Sequence, residues 1–316
     1  MRKALLVRLP GSWVRGIAAS RHMDGWEFVY VTQHPGGPAD AWTPRLAECV
    51  VDRPHPDDPE SVRRLCRSIV DRHGITVAAI CQKLLWYSEL VGDALRKLGV
   101  DVFWCEAFFR DRMVLDRVGL PYTADNEIRR FSASGDHGPV PPLFETRWEQ
   151  PPARPPGELR DRYGGDAVVV FGQVPTDMAL QEHPGLGYYD WLEALLTGNP
   201  GARFLFKHHP RAETDLRRVR DGERFLVVDE DTPSLLKAFD RFAAFSSTVV
   251  FEGAVRGRRF VTGGHHLMSG TGAVLEAADA ARLAGAVDRL PVPDPVTVGR
   301  RAAFLANRYS VVPGSP

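Results

Sequence analysis

Phe204-Leu205-Phe206-Lys207-His208-His209-Pro210-Arg211 and, about forty residues further on, Phe245-Ser246-Ser247-Thr248-Val249-Val250-Phe251-Glu252-Gly253 decide how this chain reads. Each is an apolar run that stops abruptly at a polar cluster. In a parallel α/β domain such strand ends, with the loops and helix starts that follow, are where ligands sit. The first end carries Lys207, His208, His209 and Arg211, all cationic or proton-donating. The second carries the hydroxyls of Ser246, Ser247 and Thr248 at the start of a predicted helix, where backbone N–H groups attract anions. Facing one another, the two ends suit a phosphate. Taken singly, His209-Pro210 also reads as a strand breaker and Ser247 as a helix cap.

Working outward, the second half alternates strands and helices. Strands are expected over residues 167–171, 203–207, 224–228, 242–246 and 259–262. Helices are expected around residues 188–196, 215–220, 233–239, 249–256 and 278–290, with a helical tail over 295–309. The first half repeats the pattern. Strands are expected at 4–9, 26–32, 49–51, 75–81 and 100–104, and helices from Pro59 to about Arg72 and from after Tyr87 to about Leu98. Between the halves, residues 139–156 hold seven prolines, which read as a semi-rigid linker. The sequence therefore predicts an α/β protein of two Rossmann-like domains. Residues 1–150 form the first, with the linker about 132–164; residues 165–294 form the second; residues 295–316 form a terminal helix crossing back to the first. The first turn, Pro10-Gly11-Ser12, lacks a dinucleotide fingerprint, so no nicotinamide cofactor is inferred.

Composition narrows the function. With 316 residues, 44% apolar and 25% charged, the chain has ample core and an ordinary globular make-up. Its 40 basic residues balance 40 acidic ones, so no nucleic-acid partner is implied. Four cysteines (Cys49, Cys66, Cys81, Cys105) lack the close spacing of zinc or redox motifs, and Cys81 and Cys105, in apolar strand-like runs, read as core thiols of a reducing compartment. No apolar run is long enough for a signal peptide or a transmembrane span, which predicts a cytoplasmic protein and leaves peripheral membrane contact open.

Several segments, taken in order, resemble the bacterial capsule polysaccharide β-Kdo transferases and, more loosely, the bacterial CMP-sialic acid transferases. They are Ile80-Cys81-Gln82-Lys83, Val102-Phe103-Trp104-Cys105-Glu106-Ala107-Phe108-Phe109-Arg110, Leu115-Asp116-Arg117-Val118-Gly119 and Phe171-Gly172-Gln173-Val174-Pro175-Thr176-Asp177. Lys207-His208-His209-Pro210 and Ser246-Ser247-Thr248-Val249-Val250-Phe251-Glu252 complete the set, over roughly residues 78–265. The resemblance implies a GT-B glycosyltransferase with two Rossmann-like domains facing a central cleft. It implies transfer of an acidic, Kdo-like sugar from a CMP-activated donor, with inversion, to a carbohydrate or other hydroxyl acceptor. It places His209 on the phosphate, assisting its departure, and Ser246, Ser247 and Thr248 as hydrogen-bond donors to it. Gln173, Asp177, Lys207, His208 and Arg211 join them on the donor, and Glu252 accepts from ribose hydroxyls; the alternative for Glu252 is a solvated first-turn carboxylate.

Preorganised donors aimed at the departing phosphate lower the barrier whatever the family. With Lys207 and Arg211 nearby no divalent metal is required, and no cofactor is expected beyond the co-substrate. Asp229-Glu230-Asp231 reads better as an acidic loop capping a helix than as a metal motif. For the general base, the family has two carboxylates and a glycine where this chain has Glu106-Ala107-Phe108. Glu106 is the candidate, with Asp111 and Asp116 as substitutes; pairing of Glu106 with Arg110 is the structural alternative. Gln82, Lys83, Arg110 and Asp116 are assigned to the acceptor or the sugar carboxylate, Lys83 being equally readable as an ordinary helix-start residue. Other readings are a CDP-glycerol or CDP-ribitol phosphotransferase, a sugar-nucleotide epimerase and a catalytically silent nucleotide-binding module.

Overall fold

In the computed structural model the residues described are 2–7, 26–32, 46–51, 58–81, 86–107, 113–119, 128, 131, 135–139, 150–174, 177, 180, 185–211, 214–217 and 222–311. The chain divides into two compact units. Met1–Leu120, Asp125–Glu127 and Arg308–Pro316 form the first, and Pro121–Ala124 with Ile128–Asn307 form the second.

The first unit is built on a seven-stranded sheet. Its strands are β1 (Arg2–Val7), β2 (Trp26–Thr32), β3 (Leu46–Val51), β4 (Val77–Cys81), β5 (Asp101–Ala107), β6 (Met113–Asp116) and, from the far end of the chain, β13 (Ser310–Val311). Their order is β13-β6-β5-β4-β1-β2-β3. β1 to β5 pair parallel, whereas β6 runs antiparallel to β5 and β13 antiparallel to β6. Two helices are described: α1 (Pro59–His73) and α2 (Trp86–Lys97). α1 starts where Asp58 accepts from the amides of Glu60 and Ser61, both at 3.1 Å. It stops at Gly74, whose φ of 66° closes the last turn by a bond to the Val70 carbonyl. Val62, Cys66 and Ile69 form its buried face.

The second unit holds a six-stranded, wholly parallel sheet in the order β12-β11-β10-β7-β8-β9. The strands are β7 (Val168–Phe171), β8 (Phe204–Lys207), β9 (Phe225–Val227), β10 (Arg241–Ala244), β11 (Arg259–Thr262) and β12 (Leu275–Glu276). The helices are α3 (Pro156–Tyr163), α4 (Tyr188–Thr197), α5 (Thr232–Ala238), α6 (Thr248–Ala254), α7 (Ala280–Leu283) and α8 (Pro295–Phe304). Val168, Val170, Phe204, Phe206, Trp191 and Leu195 anchor a core between the sheet and α4. In each unit six strands follow the doubly wound order 3-2-1-4-5-6, counted within that unit, which is the Rossmann topology. The α/β expectation of two Rossmann-like domains holds on this point.

Four local expectations are corrected. The proline-rich stretch contains α3, whose surroundings are laced into the second unit: the amides of Ala153 and Arg154 donate to Asp231 and to Ser234 Oγ, both at 3.2 Å. The units divide near residues 120–128 instead, ahead of the prolines. The helix expected over 278–290 splits into α7 and a 3₁₀ turn, because Gly285 sits at φ 63° and donates to the Gly198 carbonyl. No helix is seen at residues 214–217, where Asp215 instead accepts from Arg217. In the tail, α8 belongs to the second unit and passes through a π turn (Leu305–Tyr309); the return to the first sheet is made by β13, not by the helix.

Asp116 explains why β13 is held. Its carboxylate is fully buried. It accepts from the amides of Val118 (2.7 Å) and Gly119 (2.9 Å) and from the Tyr309 hydroxyl (2.8 Å). A carboxylate saturated in this way is a structural anchor of the sheet edge. It is not placed to take a proton from an acceptor, nor to hold a sugar carboxylate. A hydrogen bond to a charged group contributes about 1.5–3 kcal/mol, so Tyr309→Phe should lower stability by roughly that amount. Urea unfolding measures it, and an unshifted midpoint would remove Asp116–Tyr309 as the anchor.

Candidate functional site

Parallel pairing places the exits of β7, β8 and β10 on one rim of the second sheet, with β7 between the other two. The backbones there are pressed together. The Gly172 amide donates to the Lys207 carbonyl at 2.8 Å. A Cβ on Gly172 would stand 2.9 Å from Phe206 Cζ, 3.0 Å from Lys207 O and 3.2 Å from His209 N, so only glycine fits at this crossing. Next in the chain, buried Gln173 donates from Nε2 to the Ser246 carbonyl and, at 3.4 Å, to Asp177. Its own amide donates to the Tyr188 hydroxyl at 3.2 Å. One residue thus joins the β7 exit to the β10 exit and to the start of α4.

At the β8 exit both imidazoles are oriented by backbone. His208 Nδ1 accepts from the Thr214 amide (3.1 Å), and His209 Nδ1 accepts from the Arg211 amide (3.2 Å). Nδ1 therefore carries a lone pair in each, and the neutral ring holds its proton on Nε2. Both histidines are half-buried, Lys207 is half-buried and Arg211 is exposed. Residues 207–211 line a pocket of about 790 Å³ together with Val227, Val228 and Asp229. The pocket brings together two cations, two N–H-donating imidazoles, one exposed carboxylate and an apolar wall.

The β10 exit is arranged differently. The Ser246 hydroxyl donates to the His265 carbonyl at 2.6 Å, so it is not left to donate to a ligand as expected. Ser247 caps α6 by accepting the Val249 amide at 3.3 Å. Thr248 is exposed, and Glu252 is buried within α6. None of these four lines the 790 Å³ pocket. Glu252, expected to meet ribose, is 4% exposed, whereas Asp229 faces the pocket. In the first unit Glu106 lies inside β5, paired with Val114 of β6, instead of directly after the strand; the antiparallel β6 prolongs β5 to Ala107. Gln82, Lys83, Arg110 and Asp111 lie outside the described residues.

Sequence reasoning missed two features. Asp229 was absorbed into an acidic capping loop, although only Asp231 caps α5, by accepting from Ser234. The other is residues 263–266, Gly-Gly-His-His after β11. The Gly264 amide donates to the Phe245 carbonyl at 2.7 Å, and a Cβ on Gly263 would collide with Phe245 and Trp191. The glycine pair directly after a strand was the available signal. His266 behind it is buried, with Nε2 3.0 Å from Thr262 Oγ1 and Nδ1 accepting from the Met268 amide. Burial above all lowers its pKa from 6.5 to about 4, with the charge of Arg301 acting in the same direction. Among the described residues no group of three or more His, Cys, Asp or Glu is placed to hold a metal ion, and no helix is long and apolar enough to cross a membrane.

Two Rossmann-like domains in one chain, the second with an anion-suited pocket at its strand exits, define the GT-B class of fold. Solved structures of that kind align along almost the whole chain. One is the beta Kdo 2,7 transferase of Thermosulfurimonas dismutans KpsC, with TM-score 0.58 and 15% identity over 98% of this chain and 92% of that one. Another is the beta Kdo 2,4 transferase of the same KpsC, with TM-score 0.54 and 18% identity over 98% and 91%. At such identities the likeness establishes the fold. No protein-family model and no curated protein sequence matches the chain.

Two outcomes follow from this geometry. Gly172→Ala should cost about 1–3 kcal/mol, as overpacking does, and should weaken ligand binding at residues 207–211; thermal unfolding and titration of the same variant check both effects. Between about pH 6.5 and pH 4 the unfolded chain takes a proton on His266 that the folded chain refuses, so stability should fall as pH falls through that window. His266→Gln should flatten the slope. An unchanged slope would assign it to other groups.

Proposed function

We propose that this protein is a glycosyltransferase that takes its sugar from a CMP-activated donor. The observation that carries the reading is the pocket at the β8 and β9 exits, lined by Lys207, His208, His209 and Arg211 from the first and by Asp229 from the second. A nucleoside monophosphate leaving group presents an anion, a diol and a flat base. The cations and imidazole N–H groups suit the anion, Asp229 suits the diol, and exposed Val227 offers an apolar surface to the base. The resemblance of the ordered motifs to β-Kdo transferases, and the alignment with two transferase structures of one KpsC, favour CMP and an acidic, Kdo-like sugar over other donors.

Cleaving the sugar–phosphate bond leaves charge on the phosphate. His209, its Nδ1 occupied by the Arg211 amide, donates from Nε2 to that oxygen, and Lys207 and Arg211 add positive charge. This arrangement supplies the electrophilic assistance from side chains, in keeping with a metal-independent transfer. Glu230 and Asp231, the other two carboxylates beside Asp229, are engaged by protein donors. Gln173 braces the rim by holding the Ser246 carbonyl, and Asp177 accepts from it. Glu106 is the proposed general base of an inverting attack by a carbohydrate or other hydroxyl acceptor.

A thermal-shift panel of CMP, CDP, UDP, GDP and ADP tests the donor. CMP at ~100 times its dissociation constant should add about 2.7 kcal/mol of stability. His209→Ala removes a hydrogen bond to a charged group worth about 1.5–3 kcal/mol, so it should weaken CMP roughly tenfold to a hundredfold with the fold intact. Stabilisation by CDP but not CMP would favour a phosphotransferase. Stabilisation by UDP alone would favour an epimerase-like site.

A further inference from the structure

Asp229-Glu230-Asp231 leaves β9 as three carboxylates in a row, and the protein uses each one differently. Asp231 caps α5 and accepts the Ala153 amide. Glu230 is 6% exposed, and its carboxylate is surrounded by donors from the 154–163 segment: Arg154 Nε at 2.9 Å, the Tyr163 hydroxyl at 3.1 Å and Arg162 Nη1 at 3.6 Å. Asp229 is exposed and lines the pocket.

Burial alternates along this segment, with Val228 inside, Asp229 outside and Glu230 inside, as it does in extended chain where successive side chains point to opposite faces. The Val228 amide is fixed by the Phe206 carbonyl at 2.9 Å. With Val228 pinned on one side and Glu230 drawn inward on the other, the residue between them is turned outward. A buried carboxylate is costly unless its bonds are complete, and breaking such a set leaves charge uncompensated. Glu230 therefore fixes its segment far more firmly than a surface ion pair would.

We infer that Glu230 is a positioning residue for the nucleotide pocket. By sinking its carboxylate among Arg154, Tyr163 and Arg162, it holds Asp229 toward the pocket, where Asp229 accepts from the vicinal hydroxyls of a ribose. The ligand class this selects is a ribonucleotide over one lacking those hydroxyls. The inference rests on the nucleotide reading given above and assigns to a network outside the pocket a role in substrate choice.

Calorimetric titration of the full chain with CMP and with 2′,3′-dideoxycytidine monophosphate tests it. Glu230→Gln should weaken CMP by about three- to tenfold, a loss typical of one displaced hydrogen-bonding group. Binding of the dideoxy analogue should change by less than about twofold. In an Asp229→Asn background, Glu230→Gln should make no further difference to CMP. Tyr163→Phe, which removes one bond to Glu230 and keeps the ring, should give a weaker version of the same pattern and carries the comparison if Glu230→Gln fails to fold. Equal loss for both ligands, or no loss for either, would make Glu230 a purely structural anchor and overturn the inference. A parent protein that binds CMP while Asp229→Asn costs nothing overturns the positioning role alone. A parent that binds no ribonucleotide overturns the nucleotide reading as well.

Discussion

The second domain turns on a single tight crossing, where the chain leaving β7 passes between the exits of β8 and β10. Gly172 lies against the Lys207 carbonyl and the His209 amide with no room for a side chain, and Gln173 reaches to the Ser246 carbonyl. Parallel strands all end on the same rim, so the three exits are forced together. Their unpaired backbone groups must then be satisfied by one another or by a ligand. The rim takes its shape from that crowding, while the two imidazoles beside it are oriented by the Thr214 and Arg211 amides.

Much of this is legible in the sequence. The apolar runs ending in Lys207-His208-His209-Pro210 and in Phe245-Ser246-Ser247 lie at strand exits because a continuous apolar run is what a strand buried on both faces requires. The helix start at Ser247 was legible for the same local reason, a hydroxyl followed by an apolar turn. What sequence could not resolve was which polar group faces outward. Ser246 and Glu252 looked available to a ligand, yet one hydroxyl is spent on the His265 carbonyl and the other side chain is buried. Asp229 looked like part of a cap, yet it faces the pocket. Those outcomes depend on neighbours far away in sequence, which periodicity does not encode.

The carboxylates show the same division between chemistry and architecture. Asp116 is expected from the sequence to serve the acceptor side, yet its bonding to two amides and a tyrosine makes it a keystone of the first sheet. The proline-rich stretch misled in the opposite direction. It reads as a semi-rigid linker, yet it leads into α3, where Arg162 and Tyr163, with Arg154 just ahead of the helix, reach Glu230 in the acidic loop after β9.

The antiparallel pairing of β13 with β6 has a consequence for how the protein is made. Tyr309 and Asp116 are 193 positions apart, so the first sheet waits for its edge strand until the whole second domain has emerged from the ribosome. During that interval β6 presents an open edge, the kind of surface on which nascent chains pair with the wrong partner. Translation order thus makes the N-terminal domain the last to be completed, and the second domain a long insertion within it.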